Sequence, residues 1–163
     1  MSMRLLLLGL VIHAAVSCEP PDCDRVDLGS CVGACCKVTW TLPHEASPES
    51  AINKVAAFLT SQGADGRYTI QQNHPTIQPY KSKTTFVVQG HHITQNLTYV
   101  DSLHFASDTS DKGVKIYAFS HSQDYILGNF AYSDRGQNYK NLAMLIKSLK
   151  VNYSETIDHG CGS

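Results

Sequence analysis

The stretch from Tyr99 to Ser122, YVDSLHFASDTSDKGVKIYAFSHS, decides the fold. Between Leu97 and Phe105, the residues Tyr99, Asp101, Leu103 and Phe105 fall at alternate positions, the period of a strand with one buried face. Val114-Lys115-Ile116-Tyr117-Ala118-Phe119 reads as a second strand, and the polar run Ser107 to Gly113 reads as the turn between them. Strands joined by so short a turn run antiparallel, because a parallel pair needs a crossover of roughly a dozen residues.

Working outward, three further runs have strand character. Lys37 to Leu42 sets Val38, Trp40 and Leu42 on one face and stops at Pro43. Arg67 to Gln71 follows an Asp65-Gly66 turn, and Thr84 to Val88 follows a loop with Pro75 and Pro79. One helix starts at Ser47-Pro48-Glu49-Ser50, with Ser47 as N-cap, Pro48 at the first helical position and an acid in the first turn. Ile52, Val55, Ala56 and Leu59 follow at helical spacing, and Gly63 is the stop. A second helix spans about Gly136 to Lys150, with Tyr139, Leu142, Ala143, Ile146 and Leu149 on one side. Lys147 and Lys150 suit its C-terminal dipole, and Asp134 with Gln137 resembles a capping pair. The predicted order is β-α-β-β-β-β-α: a single α+β domain whose mainly antiparallel sheet of about five strands carries both amphipathic helices on one face.

The chain opens Met1-Ser2-Met3-Arg4, runs through Leu5 to Ile12, and reaches small residues at Ala15 and Ser17. One cation, a short apolar run and a small-residue site predict a secretory signal peptide over residues 1–17. A lipidated Cys18 is the alternative at the same junction, although Ala15 stands where a larger aliphatic residue is usual. No later segment reaches the ~20 apolar residues of a membrane-spanning helix. The predicted divisions are the signal peptide, a Cys-rich arm over 18–36, the α+β domain over 37–150, and a tail over 151–163. The formal net charge of −1 is spread without a basic stripe, so nucleic acid is not an expected partner.

All six cysteines, Cys18, Cys23, Cys31, Cys35, Cys36 and Cys161, lie beyond the predicted leader. An even count on an oxidising route predicts disulfides. A zinc site could start from Cys31-x-x-x-Cys35 and His44, but structural zinc prefers a second short-spaced pair, and the next cysteine after Cys36 is Cys161. The pairing stays open among 15 possibilities. If all six pair within the chain, Cys161 must reach back to the N-terminal cluster and staple the two ends together. Adjacent Cys35 and Cys36 are expected to point to opposite sides and take different partners. Asn96-Leu97-Thr98 and Asn152-Tyr153-Ser154 are glycosylation candidates at Asn96 and Asn152.

Three segments then carry a resemblance. YVDSLHF (Tyr99 to Phe105), VKIYAFSHS (Val114 to Ser122) and AYSDRGQNYKNLAMLIKSL (Ala131 to Leu149) are similar to domain of unknown function 1499. That family shows an aromatic-Val-Asp-Asp-x-x-Phe strand, a strand ending in Ser-x-Ser, and a Tyr-Ser-Asp-x-Gly-x-Asn turn opening its last helix. The resemblance covers about residues 38–149 and implies a fold without implying an activity. Here Ser102 stands at the family's second Asp, and Tyr139-Lys140-Asn141 replaces its basic residues.

Candidate chemistry is sparse. Asp134 or Asn138 could cap the second helix with Gly136 supplying the backbone turn; alternatively Tyr132, Asp134 and Asn138 line a ligand cleft there. His91, His92, His104 and His121 sit on or beside neighbouring strands, but no His-x-His or His-x-x-x-His fixes a common face, so no metal and no cofactor is expected. A Gly-x-Ser-x-Gly elbow is absent, and Asp101, Asp108, Asp111 and Asp124 form no evident acid-base pair. The expectation is a secreted, disulfide-bonded, non-enzymatic extracellular protein serving a matrix, coat or secreted fluid, with an unknown extracellular partner or small ligand. The alternatives are a carrier of a small apolar ligand, lined by Tyr99, Phe105, Tyr117 and Phe119, and a secreted hydrolase.

Overall fold

The structure, a computed structural model, describes residues 34–70, 78–79, 86–94, 99–122 and 135–162. The elements in chain order are β1 (Cys35–Leu42), α1 (Pro48–Thr60), β2 (Tyr68–Ile70), β3 (Gln78–Pro79), β4 (Phe86–Ile93), β5 (Val100–Ser110), β6 (Gly113–Ser122), α2 (Gln137–Ser148) and β7 (Ser154–His159). They build one antiparallel sheet in the order β2-β4-β5-β6-β1-β7, with β3 pairing β4 as well. The predicted α+β class and the meander of β4, β5 and β6 are present, and the predicted order gains β3 and β7.

Alternation along each strand sorts the side chains onto two faces. On one face, Val38, Trp40, Leu42, Leu103, Phe105, Ile116 and Ala118 form a buried core with Ile52, Val55 and Leu59 of α1 and Leu142, Leu145 and Ile146 of α2. Each buried Val, Leu, Ile or Phe side chain contributes roughly 1.5–3 kcal/mol by leaving water. α1 packs on β2, β4, β5 and β6, while α2 packs on β1 and β6, so both helices cover this face. The other face carries a smaller cluster of Cys35, Val87, Ala106 and Phe119.

α1 begins as its sequence dictates: Ser50 N–H donates to Ser47 Oγ at 3.0 Å, and Pro48 occupies the first turn. It ends where Gln62 and Gly63 turn into the left-handed region, with Gly63 N–H donating to the Phe58 carbonyl at 2.9 Å. A Cβ on Gly63 would overlap the Tyr68 and Phe58 rings, so the stop also lets the chain fold back onto β2.

Several boundaries differ from expectation for one reason. β5 continues through Ser107 to Ser110, and the turn shrinks to Asp111 and Lys112. Ser107 reads as a turn residue, yet it is fully buried because its hydroxyl donates to the Pro48 carbonyl at 2.8 Å. β4 likewise extends past Val88 through Gln89, Gly90, His91 and His92, where Gly90 leaves room for the Thr69 carbonyl and the Leu59 side chain.

α2 corrects one of the expected caps. Its N-cap position is Gly136, at φ 73°, and Asn138 is helical and fully buried rather than capping. Gln137 Nε2 donates to Asn141 Oδ1 at 2.8 Å. The other capping candidate, Asp134, lies outside the described residues.

The expected tail is a strand. β7 pairs with β1, and Glu155 accepts from the Trp40 indole and from the Tyr139 hydroxyl, both at 2.9 Å. Trp40 is fully buried, so its N–H requires such a partner. Immediately beyond, Cys161 is disulfide-bonded to Cys36 across 125 residues, stapling the ends of the domain. Cys35, also disulfide-bonded, belongs to the cluster on the opposite face from Cys36. Cys18, Cys23 and Cys31 lie outside the described residues.

A buried polar row as the candidate functional site

Register places four polar side chains in one row across the sheet: Tyr68 of β2 opposite His92 of β4, His92 opposite Asp101 of β5, and Asp101 opposite Ser122 of β6. Alternation turns all four toward the helices. Ser120 lies two residues before Ser122 on the same face. α2 closes over them with Asn138 and Asn141, one helical turn-step apart.

The polar groups are spent on one another. Asp101, 1% exposed, accepts from Ser122 Oγ at 2.8 Å and from Asn141 Nδ2 at 2.7 Å. Asn138 accepts from Ser120 Oγ at 2.5 Å, and its amide donates at 3.1 Å to the Ala34 carbonyl and to Ser122 Oγ. Tyr68 donates its hydroxyl to the Asn141 carbonyl at 2.9 Å, and burial, reinforced by Asp65 and Asp101, pushes its pKa up. Hydrogen bonds to a charged group contribute about 1.5–3 kcal/mol each, so Asp101 is the centre of the set.

His92 joins the row to the surface. Its Nε2 lies 3.0 Å from Asp65 Oδ2, and its Nδ1 lies 3.9 Å from Asp101 Oδ2. Burial alone would lower the imidazole pKa, but the two carboxylates outweigh it and raise the pKa above its ordinary value. The ring also stacks at a tilt on Tyr68, with centroids 4.5 Å apart. The arrangement sets the imidazole between a buried and a partly exposed carboxylate, both of which favour its protonated form.

Ser122 donates a hydrogen bond to one oxygen of Asp101, Asn141 donates to the other, and both nitrogens of His92 face carboxylates. With the Tyr68 hydroxyl on the Asn141 carbonyl, these contacts clamp β2, β4, β5, β6 and α2 together.

The sequence-derived candidates distribute unevenly about this row. Asn138 is in it, whereas Tyr132 and the capping candidate Asp134 lie outside the described residues, as do Asp124 and Asn96. Asp101 is central; Asp108 lies opposite Lys115 and Asp111 in the exposed β5–β6 turn, so these acids do not assemble. The four aromatics of the carrier reading share no wall: Phe105 is in the helix-covered core, Phe119 and Tyr117 are on the other face, and Tyr99 is 48% exposed. A depression of about 490 Å³ at the start of α1, lined by Ser47, Glu49, Ser50, Asn53, Lys54 and Ala57, is remote from the row in sequence and in elements.

Sequence reasoning missed Asp65, His92 and Asn141 as partners. A usable signal existed: Ser120 and Ser122 continue the inward period of Ile116 and Ala118, which marks them as interior polar residues needing partners.

The remaining histidines split by face. His91 pairs with Ser102, which pairs with His121, and His104 lies one pleat along between Gln89 and Phe119. These three occupy the face away from the helices. Burial lowers all three pKa values; for His104, the neighbouring His121 and His91 add to it and bring it down to about 4. Among the described residues, no group of three or more His, Cys, Asp or Glu is placed to hold a metal ion. Among the same residues, no helix is long and apolar enough to cross a membrane. Comparison of the chain with family models, curated proteins and solved structures finds no match.

Proposed function

We propose that this chain is a secreted, disulfide-bonded extracellular protein that acts through its surface rather than by catalysis, as a component of an extracellular matrix, coat or fluid. The observation that carries the reading is that both carboxylate oxygens of Asp101 are engaged by Ser122 and Asn141, so the most developed polar constellation works as a clamp. The Cys36–Cys161 bond supports the same reading, since such a staple persists in oxidising compartments. The leader-like residues 1–17 supply the route.

The resemblance to domain of unknown function 1499 enters on the same terms. Its three motif segments supply Asp101, Ser120 with Ser122, and Asn138, and these side chains meet through Ser122 and Asn138. That convergence supports treating the segments as one unit of architecture, with no activity attached.

The test is expression of the full chain in secretory eukaryotic cells. The reading expects protein in the medium, beginning at Cys18 and carrying no alkylatable thiol. Retention in the cytosol with residues 1–17 attached and thiols free would overturn it.

A further inference from the structure

The face of the sheet turned away from the helices is buried, although α1 and α2 both lie on the other side. Cys35, Val87, Gln89, Ser102, Ala106 and Phe119 point to this outer face, and none is more than 6% exposed. An antiparallel sheet with one open face sets solvated polar side chains there. The Nδ1 atom of His91, on the same face, is likewise shut off from water. Among the described residues, the strands extend the sheet sideways rather than cover it. Burial of this kind requires a further layer.

Cys35 points to its source. It stands at one end of the cross-strand row Cys35-His121-Ser102-His91 and is disulfide-bonded. Cys36 and Cys161 bond each other, and the other cysteines of the chain are Cys18, Cys23 and Cys31. The partner of Cys35 is therefore one of these three. A disulfide holds its two Cα atoms about 4.4–6.8 Å apart. Since the Cys35 side chain belongs to the outer-face cluster, any of the three bonds brings the Cys-rich arm to that face.

The composition of the arm suits the same place. Val26, Leu28 and Val32 are apolar, and Glu19, Asp22, Asp24 and Asp27 outnumber Arg25. The outer face presents Lys37, Lys115 and the three histidines. Its acids are Asp108, opposite Lys115, and Asp158, which accepts from the Thr39 hydroxyl at 2.6 Å. The next longest stretch outside the described residues, 123–134, leads from β6 to α2 on the helix side.

We propose that the arm, residues 18–33, folds back across the outer face of the sheet and is bonded there through Cys35, closing that face to other partners while the disulfide is intact.

The test uses the full chain oxidised in a glutathione buffer, so its outcome is independent of where the cell sends the protein. Digestion without reduction, read by mass spectrometry, should join Cys35 to Cys18, Cys23 or Cys31. In isotope-labelled protein, the Phe119 ring and the Ala106 methyl should show nuclear Overhauser contacts to side chains of residues 18–33. Cys35→Ala should speed carbethoxylation of His121 several-fold and leave that of exposed His159 unchanged. Cys35 found free, or bonded outside the arm, overturns the tether. Contacts from Phe119 and Ala106 to residues 123–134 in place of the arm, or to nothing beyond the sheet, overturn the cover. Both results are read on the unaltered chain and decide the matter even where Cys35→Ala fails to fold. Unchanged His121 labelling in a Cys35→Ala protein that keeps its amide protection in β5 overturns the role of the bond in holding the arm.

Discussion

Asp101 shows how one side chain sets the interior of this protein. A carboxylate at 1% exposure is tolerated because Ser122 and Asn141 donate to it and the His92 imidazole lies nearby. Asp101→Ala removes the acceptor and strands those donors, so a loss of about 3 kcal/mol is expected from urea unfolding. Asp101→Asn should cost less, since one acceptor oxygen survives. His104 makes the opposite case. The Gln89 side-chain amide lies 3.1 Å from its Nδ1, and burial together with the neighbouring His121 and His91 disfavours the charged ring. The unfolded chain therefore takes up this proton at a higher pH than the folded one. The contribution is complete above pH 6.5 and is lost as the pH falls toward 4, by about 2–3 kcal/mol. His91 and His121 act in the same direction. His92, with a raised pKa, acts in reverse: its contribution is complete below pH 6.5 and fades as the pH rises through its folded value. Stability measured from pH 7 down to pH 4 should fall, and His104→Asn should flatten that fall; an equally steep profile in the variant would refute the assignment.

At the scale of elements, local chemistry and tertiary partners divide the work. α1 is locally specified at both ends, by the Ser47 cap and by the left-handed turn at Gly63. Ser47→Ala should cost about 1 kcal/mol in thermal or urea unfolding, the usual worth of an N-cap. Gly63→Ala should cost more than about 1 kcal/mol, because a positive φ and the Tyr68 ring both oppose a Cβ. α2 is different. With glycine at its N-cap, it is held by Asn138 and Asn141 reaching into the sheet and by Leu142, Leu145 and Ile146 on the core. The strands β4 and β5 outrun their apolar patterns because Gln89, His92 and Ser107 find partners across the fold.

For the whole molecule, the decisive connection joins its ends. β1 is flanked by β6 and β7, and the Cys36–Cys161 bond fixes the last of these neighbours covalently. Closing a loop of 125 residues restricts the unfolded chain far more than the folded one. The double variant Cys36→Ser/Cys161→Ser should lose about 4 kcal/mol relative to the oxidised protein. Amide exchange should rise first in β7, whose other attachments among the described residues are its ladder to β1 and the Glu155 and Asp158 contacts. If exchange rises equally in β5, the staple secures the entire sheet rather than its edge.

The sequence by itself determined the α+β class, the five strand regions, both helices and, if all six cysteines pair within the chain, the return of Cys161 to the N-terminal cysteines. These follow from period, capping chemistry and covalent parity, which are local or arithmetical properties. Only the tertiary structure decided that the residues 154–159 form a strand, since that mostly exposed segment has no buried stripe to announce it. It also decided that Asp65, His92, Asp101, Ser122, Asn138 and Asn141 form one row and clamp. Asp65 and Asn138 read alone as a turn and a cap, and the inward period of Asp101 and Ser122 does not say which groups they meet. What makes them interior is a partner more than fifteen residues away, in most cases on another strand or helix, and no local pattern encodes that partner.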